Sequence, residues 1–331
     1  MNILFIHNGF RSFIQADLEI LQSQHQVRVI KFAPGKKYLS EIAANIQWCD
    51  LVFGWWASWH MLFPVICAQR NRKPIIVVGG DYDVIYEKQF RSRNRLFMDK
   101  LRKLLGYYLF PKIDQYITFS EYSKIQALKL PYIIPERLSR IYCGLPDIAT
   151  NKYQKKDNLI LSVGTIHQYD IYRKGYATFV KSATYLPEYQ FELIGPWKDG
   201  GIDLLRNWNN KNILYPGYLS NKDLYQAMSD AKVYVQVSLH EGFGMALAEA
   251  MLFQCVPVVT DRGAIPEVVG DCGLYVPYGD VQKTAIAIEQ ASKHGRELGA
   301  KARARILSQF PAENRRNQLL DIVEKTYSGL R

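Results

Sequence analysis

The sequence predicts an α/β fold made of two similar halves, each with a parallel β-sheet. Short runs of β-branched and other apolar residues alternate with segments of helical periodicity along all 331 residues. This alternation is typical of parallel sheets, because a crossover between parallel strands usually contains a helix. A polar stretch at 146–158, with three lysines, separates the alternation into two series and reads as a linker.

The first series contains six predicted strands. Between them, apolar residues recur at helical spacing, for example at 13–22 and 121–129. The strands are Ile3–Ile6, Val27–Lys31, Leu51–Gly54, Ile75–Val78, Gln115–Thr118 and the shorter Arg140–Tyr142.

The second series repeats the pattern. A chain of this length exceeds what one hydrophobic core usually supports, so we expect two domains, at 1–147 and 158–311. The strands of the second series are Leu159–Val163, Phe191–Ile194, Ile213–Tyr215, Val233–Gln236, Val256–Thr260 and Leu274–Val276.

Composition favours a cytosolic protein. Hydrophobic residues make up 48% of the chain, yet no apolar run approaches the ~20 residues of a membrane-spanning helix. The chain opens directly on a strand, without a charged leader, which predicts that there is no signal peptide. The five cysteines are odd in number and lack the spacing of metal ligands, so we expect reduced thiols.

A glycine-rich turn joins a predicted strand to a predicted helix at Glu241–Glu249. Glycines allow tight backbone angles, and the unpaired N–H groups at a helix start can hold a phosphate. Glu241 lies on the loop and Glu249 about one turn into the helix Met245–Phe253. An acid on each side of a diphosphate suggests a bound sugar nucleotide. Acids also favour the helix dipole, so the turn alone leaves an ordinary helix start open.

This segment resembles the E-x7-E motif of retaining glycosyltransferases of family 4, which have the GT-B fold. The similarity continues in the family's order through about forty residues, at Ala250-Met251, Val256–Val259, Gly263–Val268 and Gly273–Pro277. The resemblance implies two Rossmann-like domains that face each other across a cleft. It also implies that the last helix, at about 312–331, packs back onto the first domain.

The resemblance assigns the donor-binding residues of the second domain. Members of the family hold the donor diphosphate with an arginine and a lysine after the first strand. Lys174 matches the lysine, whereas Thr165 stands at the arginine position, so Arg173 or His167 is the candidate for the second cation. The other donor-binding candidates are Gly217, Leu219, Gly242, Phe243, Gly244, Met245 and Glu249.

The catalytic candidates are Glu241, Lys174 and Asp81. We expect Glu241 to hold hydroxyl groups of the donor sugar and Glu249 those of the ribose. Lys174 and the N–H groups near Gly244 would stabilise the departing diphosphate, so no metal is expected. The base contacts run through the backbone, and therefore UDP and GDP donors are not distinguished. The resemblance further implies a front-face mechanism with retention of configuration.

Two loops of the first domain also resemble the family's pattern. Gly9, after the first strand, resembles the glycine that approaches the donor diphosphate. Many members carry a sugar-binding histidine after the fourth strand, where this chain has Gly79-Gly80-Asp81. Asp81 is therefore a candidate for a sugar hydroxyl, with a helix N-cap as the alternative. Ser120 matches a serine at a helix start and is expected to be a cap.

Tryptophans crowd the segment after the third predicted strand. Aromatic rings near a cleft stack on sugars or lie at a lipid headgroup layer. Trp55, Trp56 and Trp59, expected on the loop after Leu51–Gly54, are therefore candidates for the acceptor side. Core packing is the alternative for one or two of them.

Charge supplies one further indication. The net charge is +11, and residues 1–150 hold 20 lysines and arginines against 12 acids, with a basic cluster at 88–112. A basic amphipathic helix there predicts contact with an anionic membrane surface, while packing of its apolar stripe on the core is the commoner alternative. We expect no nucleic-acid binding, because the cluster is confined to one helix. The expected basic face contains Arg91, Arg95 and Arg102, and the apolar stripe contains Phe97, Leu101, Leu104 and Tyr108.

Taken together, the residues predict a metal-independent, retaining glycosyltransferase of the cytoplasmic face of the membrane. Its donor would be a UDP- or GDP-linked sugar, and its acceptor a saccharide or a lipid-linked molecule of cell-envelope glycan or glycolipid synthesis. Two alternatives stay open: a GT-B nucleotide-sugar epimerase, and a non-catalytic accessory protein that binds nucleotide sugars. The accessory protein stays open because the expected arginine and histidine are absent.

Overall fold

The structure, a computed structural model, describes residues 1–81, 83–85, 93–149, 157–208 and 211–329. Part of the predicted linker, 150–156, lies outside this range. The chain divides into two compact units, one made of Met1–Gly144 with Ala312–Arg331 and the other of Leu145–Pro311. Among the described residues, no helix is both long and apolar enough to cross a membrane.

Strands and helices alternate in both units. Up to residue 140 the elements are β1 (Asn2–His7), α1 (Ser12–Gln22), β2 (Gln26–Lys31), α2 (Lys36–Trp48), β3 (Leu51–Trp55), α3 (Leu62–Arg70), β4 (Ile75–Gly79), α4 (Arg93–Leu109), β5 (Gln115–Thr118), α5 (Glu121–Leu128) and β6 (Leu138–Arg140). They continue with β7 (Asp157–Val163), α6 (Asp170–Arg173), α7 (Tyr176–Ser182), β8 (Gln190–Ile194), α8 (Gly201–Arg206), β9 (Ile213–Gly217), α9 (Asn221–Asp230), β10 (Ala231–Gln236), α10 (Met245–Leu252), β11 (Val256–Val259), α11 (Ile265–Val269), β12 (Leu274–Tyr275), α12 (Val281–His294), α13 (Arg296–Gln309) and α14 (Ala312–Ser328). Short 3₁₀ turns lie at Trp59–Met61, Phe110–Lys112, Pro135–Arg137 and Ala183–Tyr185.

The first unit contains a parallel sheet in the order β2-β1-β3-β4-β5-β6. Every residue of β3 and β4 is buried, as expected when a parallel sheet is covered on both faces. The edge strand β2 is mostly exposed. The direction of strand order reverses between β1 and β3, which is where ligands tend to bind in such sheets, beyond the carboxyl ends of the strands.

The second unit contains a second parallel sheet, in the order β12-β11-β10-β7-β8-β9. Its core combines apolar side chains of the central strands with those of the helices, such as Val233, Val258, Phe179 and Ile288. Here the strand order reverses between β7 and β10. The loops after these two strands therefore meet at the expected ligand position of this sheet.

The last helix belongs to the first unit. Arg315 of α14 forms a buried ion pair with Asp17 of α1, with Nε 2.6 Å from Oδ1 and Nη2 2.7 Å from Oδ2. The same guanidinium donates from Nη1 to the carbonyl groups of Ile141 and Tyr142, both at 3.0 Å. A bidentate pair of this kind fixes orientation as well as position, so α14 is anchored to α1 and to the chain after β6.

All twelve predicted strands occur, and one is displaced. The sixth lies at Leu138–Arg140, so the prediction of Arg140–Tyr142 was wrong by two residues. The reason is tertiary, because the carbonyl groups of Ile141 and Tyr142 are taken by Arg315. An apolar run indicates an extended segment but does not show which part of it will pair.

Candidate active site

The carboxyl edge of the second sheet brings two site candidates into direct contact. Lys174 Nζ lies 3.1 Å from Glu241 Oε1, although the residues are 67 positions apart. Ser238 Oγ donates to the same oxygen at 3.0 Å and to the Lys174 carbonyl at 3.3 Å. The side chains of Lys174 and Glu241 are only 23% and 13% exposed, so the ion pair is partly screened from water. The pair lies where the loops after β7 and β10 meet.

Backbone contacts hold these two loops together. Leu239 N donates to Arg173 O at 2.7 Å, which joins the end of α6 to the loop after β10. Gly175 follows with φ +72°, and a Cβ at this position would collide with Val237 O. Only glycine permits both the left-handed angle and the close approach. The position of Lys174 therefore depends on the glycine that follows it.

The loop after β11 supports Glu241 from another side. Gly263 has φ +61°, and a Cβ there would collide with the Glu241 backbone. Ala264 N donates to Glu241 O at 2.9 Å, and Thr260 Oγ1 donates to Ser238 O at 2.6 Å. Sequence reasoning named neither Ser238 nor Thr260, because a lone hydroxyl after a strand carries no pattern of its own.

Helix α10 begins beside this pair. Its N-cap is Gly244, at φ 95° and ψ 54°, which has no side chain to accept from the first-turn N–H groups. These donors and the helix dipole favour an anion. Phe243 is buried, and its ring packs on Phe310 with centroids 5.4 Å apart. A donor contact by Phe243, as predicted, would therefore run through the backbone and not the ring. Gly242 is buried next to it.

Glu249 lies one turn into α10. Burial raises the pKa of its carboxyl group to about 7. Such a group changes charge near neutral pH, which is common at ligand sites.

Each of the two candidates for a second cation has an acid close to it. Arg173 Nε and Nη2 both lie 2.8 Å from Asp170 Oδ1. His167 Nδ1 lies 3.0 Å from Asp199 Oδ2. Lys174 contacts the motif glutamate directly.

An aromatic surface lies at the ends of β8 and β9. Gly217 ends β9 with φ +79°, and a Cβ there would lie 3.8 Å from the indole ring of Trp197. The Arg206 guanidinium lies over that ring, 4.7 Å from its centroid. Trp197 and Tyr218 are exposed, while Leu219 is half-buried. This surface is therefore suited to a flat ring near the predicted base contacts at Gly217 and Leu219.

In the first unit, Gly9 lies on the loop after β1. Its N–H donates to Nδ1 of the buried His7 at 3.2 Å. A Cβ on Gly9 would have no heavy atom within 4 Å among the described neighbours, so the space above it is open. A ligand can thus approach the backbone of this loop closely.

Asp81 lies in a turn after β4. Val84 N and Ile85 N donate to its carbonyl at 3.0 and 2.8 Å, so a turn follows it in the described residues 83–85. Its side chain is half-buried. Residues 82 and 86–92 lie outside the described residues, and the role of Asp81 stays a prediction.

Asp83 organises this loop, and sequence reasoning did not single it out. Its Oδ1 accepts from Gly80 N and Asp81 N, both at 3.0 Å. Its Oδ2 accepts from Ala57 N at 3.2 Å and from Tyr116 Oη at 2.8 Å. Burial raises the pKa of Asp83, an effect that these hydrogen bonds oppose. One carboxylate therefore joins the loops after β3 and β4.

Ser120 is confirmed as a helix cap. Its Oγ accepts from Ser123 N at 3.0 Å at the start of α5. Ser123 Oγ in turn donates to Gly80 O. The cap thereby contacts the loop that carries Asp81.

The tryptophans differ in exposure. Placing Trp55 on a loop was wrong, because it is the last residue of β3 and is fully buried, 5.1 Å from the ring of Phe13. Trp56 has φ +69°, which is unusual for a residue with a side chain, and is 7% exposed. Trp59 is 46% exposed. Of the three, Trp59 has the ring surface that an acceptor could contact.

Helix α4 turns a different face outward from the one predicted. Leu105 and Leu109 are buried, whereas Leu104, at 67% exposed, and Tyr108 are not, so the predicted stripe was wrong at these two positions. Arg102 was also placed wrongly on the outer face, since its Nη1 lies 2.9 Å from Asp99 Oδ1 and Nη2 bonds Ile85 O. Lys88 and Arg91 lie outside the described residues, as do the side chains of Arg93, Arg95 and Phe97.

The outer face of α4 is both apolar and basic. A surface helix that exposes large apolar side chains beside lysines is typical of interfacial helices. The exposed residues are Met98, Lys100, Lys103, Leu104, Tyr107 and Tyr108. We call these six residues the α4 face.

Comparison with known proteins agrees with this geometry. The family described as Glycosyl transferases group 1 matches residues 144–306, nearly all of the second unit. The second unit therefore matches this family over that range. The match includes the Lys174–Glu241 pair, the start of α10 and Glu249.

The relatives include transferases of cell-surface glycans. O-antigen chain mannosyltransferase B of Escherichia coli is 32% identical over 111 residues, which cover 33% of this chain and 29% of the relative. An uncharacterized 41.2 kDa protein in the cps region of Klebsiella pneumoniae is 28% identical over 149 residues, 44% of this chain and 39% of that protein. The matched segments thus span less than half of these two relatives. The MMP alpha-(1->4)-mannosyltransferase of Mycolicibacterium hassiacum is 23% identical over 86% of this chain and 80% of the relative.

Solved structures show the fold of the whole chain. Anabaena Alr3699/HepE in complex with UDP and glucose has a TM-score of 0.79 at 16% identity, covering 98% of this chain and 99% of that one. Sucrose-phosphate synthase from Thermosynechococcus elongatus has a TM-score of 0.78 at 16% identity, covering 99% and 100%. The chain therefore has the GT-B fold.

Proposed function

We propose that this protein transfers a hexosyl group from a nucleotide diphosphate sugar to a saccharide or lipid-linked acceptor in cell-envelope glycan synthesis. The observation that carries the proposal is the contact between Lys174 and Glu241 beside the start of α10. A cation, a carboxylate and free helix N–H groups are the groups that a sugar diphosphate requires.

Each group has a role in the proposed reaction. Lys174 and the N–H groups of Gly244 and Met245 would neutralise the diphosphate as the sugar–oxygen bond breaks. Glu241 would accept hydrogen bonds from the sugar, and Glu249 from the ribose. In a front-face reaction the acceptor oxygen bonds to the anomeric carbon on the side from which the diphosphate leaves, so configuration is retained, and the leaving phosphate oxygen takes the acceptor proton. We propose that no metal takes part, since the helix start and Lys174 carry the stabilising charge.

The acceptor is assigned to the first unit. Trp59 offers an exposed ring for stacking on a sugar, and Gly9 and Asp81 lie on the loops after β1 and β4 of the same sheet. Two of the relatives are mannosyltransferases, so we propose a mannosyl group as the first sugar to test. The α4 face supports a further proposal, that the protein associates with the inner membrane surface as a peripheral protein.

The test has two stages. Calorimetric titration with UDP and GDP, with a chelator present, should show metal-free binding of one nucleotide. Transfer from the matching sugar nucleotide, UDP-glucose or GDP-mannose, is then measured on saccharide acceptors, with NMR of the product to determine the anomeric configuration. Binding without hydrolysis or transfer across the acceptors would instead favour the accessory protein, and an altered sugar released without an acceptor would favour the epimerase.

A further inference from the structure

We infer that the Lys174–Glu241 ion pair makes this site select the complete nucleotide sugar over the bare nucleoside diphosphate. The inference rests on the proposed function, because it concerns the same donor site. It identifies the ion pair as a specificity device that distinguishes the substrate from the product that remains after transfer.

The argument starts from the state of the lysine. The ammonium group contacts the Glu241 carboxylate at 3.1 Å, and both side chains are mostly buried. In such surroundings charges interact more strongly than in water. A diphosphate that binds Lys174 must therefore share the ammonium with the carboxylate, and it brings its own negative charge close to Glu241.

The other candidates for a second cation near the site each have an acid beside them. Arg173 and His167, the other cationic candidates near the site, lie within 3.0 Å of Asp170 and Asp199 respectively. The charge of the Glu241 carboxylate also reaches the buried Tyr176. Burial is the main cause that raises the pKa of Tyr176, and the charge of Glu241 raises it further. Bare diphosphate would thus face a carboxylate whose negative charge it cannot satisfy.

A sugar on the diphosphate changes this balance. The hydroxyl groups of the sugar donate hydrogen bonds to the Glu241 carboxylate. These hydrogen bonds replace the part of the Lys174–Glu241 interaction that is lost when Lys174 binds the phosphate. Hydrogen bonds to charged groups are stronger than neutral ones. The complete donor therefore satisfies both halves of the ion pair, whereas the nucleoside diphosphate satisfies only the cation and repels the anion.

The experiment compares two ligands on matched variants. UDP against UDP-glucose, and GDP against GDP-mannose, are titrated calorimetrically into the wild type, Glu241→Gln and Lys174→Gln. Asp261→Asn is the control, because it removes an exposed acid from the loop after β11 that lies beside Arg262 and not beside Lys174. Thermal unfolding of each variant verifies folding.

The two variants should move the preference in opposite directions. Glu241→Gln removes the repulsion, so the nucleoside diphosphate should bind about 5- to 10-fold tighter while the sugar nucleotide gains nothing or weakens. Lys174→Gln leaves the carboxylate without its cation and should weaken the nucleoside diphosphate more than the sugar nucleotide. Asp261→Asn should leave the preference within about twofold.

Other results overturn the inference. Equal weakening of both ligands by Glu241→Gln would mean that the glutamate only holds the loop, and an unchanged preference would mean that the pair does not discriminate. Should Glu241→Gln fail to fold, an unaltered preference in Lys174→Gln overturns the inference by itself. If none of the four ligands binds the wild type at millimolar concentration, the proposed function itself fails, and the inference fails with it.

Discussion

In the second unit, the loops after β7 and β10 bring opposite charges into contact, whereas in the first unit one buried carboxylate holds the loops after β3 and β4. Lys174 and Glu241 point toward each other at the sheet edge and remain partly exposed. Asp83 is buried and accepts four hydrogen bonds from its surroundings. Charge near the surface is available to a ligand, while charge that the protein satisfies internally shapes the loops that a ligand would contact.

The largest expected effect is at Lys174. Lys174→Met removes the cation from the proposed diphosphate site and should lower the transfer rate by about 10²–10³-fold, because stabilisation of the leaving group is lost. Steady-state kinetics with the sugar nucleotide measure this change. Lys222→Met, an exposed lysine of α9, is the matched control and should retain full activity. Similar rates in the two variants would remove Lys174 from the proposed mechanism.

The next effect tests whether the buried Asp83 carboxylate stabilises the fold and does not bind the ligand. Asp83→Ala leaves the buried N–H groups of Gly80, Asp81 and Ala57 without their acceptor and should lower the free energy of unfolding by about 2–4 kcal/mol. Asp81→Ala, two residues away and half-buried, should change it by less than about 0.5 kcal/mol while reducing transfer. Denaturant unfolding and kinetics on both variants separate the roles. A large loss of stability from Asp81→Ala would contradict the comparison.

Glu249 should make nucleotide binding depend on pH. Its pKa of about 7 means that the carboxyl group is mostly protonated at pH 6 and ionised at pH 8. The ionised form accepts ribose hydroxyls better, so affinity should rise by up to about tenfold over this range. Titrations at several pH values measure this rise. Glu249→Gln should bind the nucleotide more weakly and lose this part of the pH dependence. If the variant keeps the wild-type pH profile, Glu249 is not the source of that dependence.

The same group affects stability with a definite sign. Burial in the folded state raises the pKa of this carboxyl group above its ordinary value of 4.5, so folding favours the protonated form. The stabilising contribution is complete below pH 4.5 and is lost as the pH rises through 7. In Glu249→Gln this contribution to the pH dependence of unfolding should be absent.

The last expected effect concerns the α4 face. Lys100→Ser with Lys103→Ser should weaken binding to vesicles of anionic phospholipid about 5- to 30-fold, since each lysine near such a surface contributes about 1 kcal/mol. Co-sedimentation with vesicles at low and high salt measures it, because the lysine contribution is screened by salt. Lys301→Ser with Lys325→Ser, exposed lysines of α13 and α14, is the charge-matched control. Equal losses in both pairs would indicate net charge and not this face.

Local patterns predicted the elements and the turn before α10 well. β-branched runs gave the strands, because burial between helices selects such residues whatever the partner strand. The turn at 241–249 was also readable, since a glycine turn, a helix start and two acids lie within nine residues. These features depend on interactions between residues that are close in the chain.

Tertiary structure decided the rest. The contact of Lys174 with Glu241 joins positions 67 apart, and that of Arg315 with Asp17 joins positions 298 apart. The exposure of Leu104 and the burial of Trp55 depend on which side of an element meets its neighbour, which the apolar pattern alone did not specify. The sequence by itself determined which segments are strands and helices and where the glycine turn before α10 begins. Only the packing of distant segments decided which charges meet and which are buried, because solvent exclusion and ion pairing depend on distances in space and not on spacing along the chain.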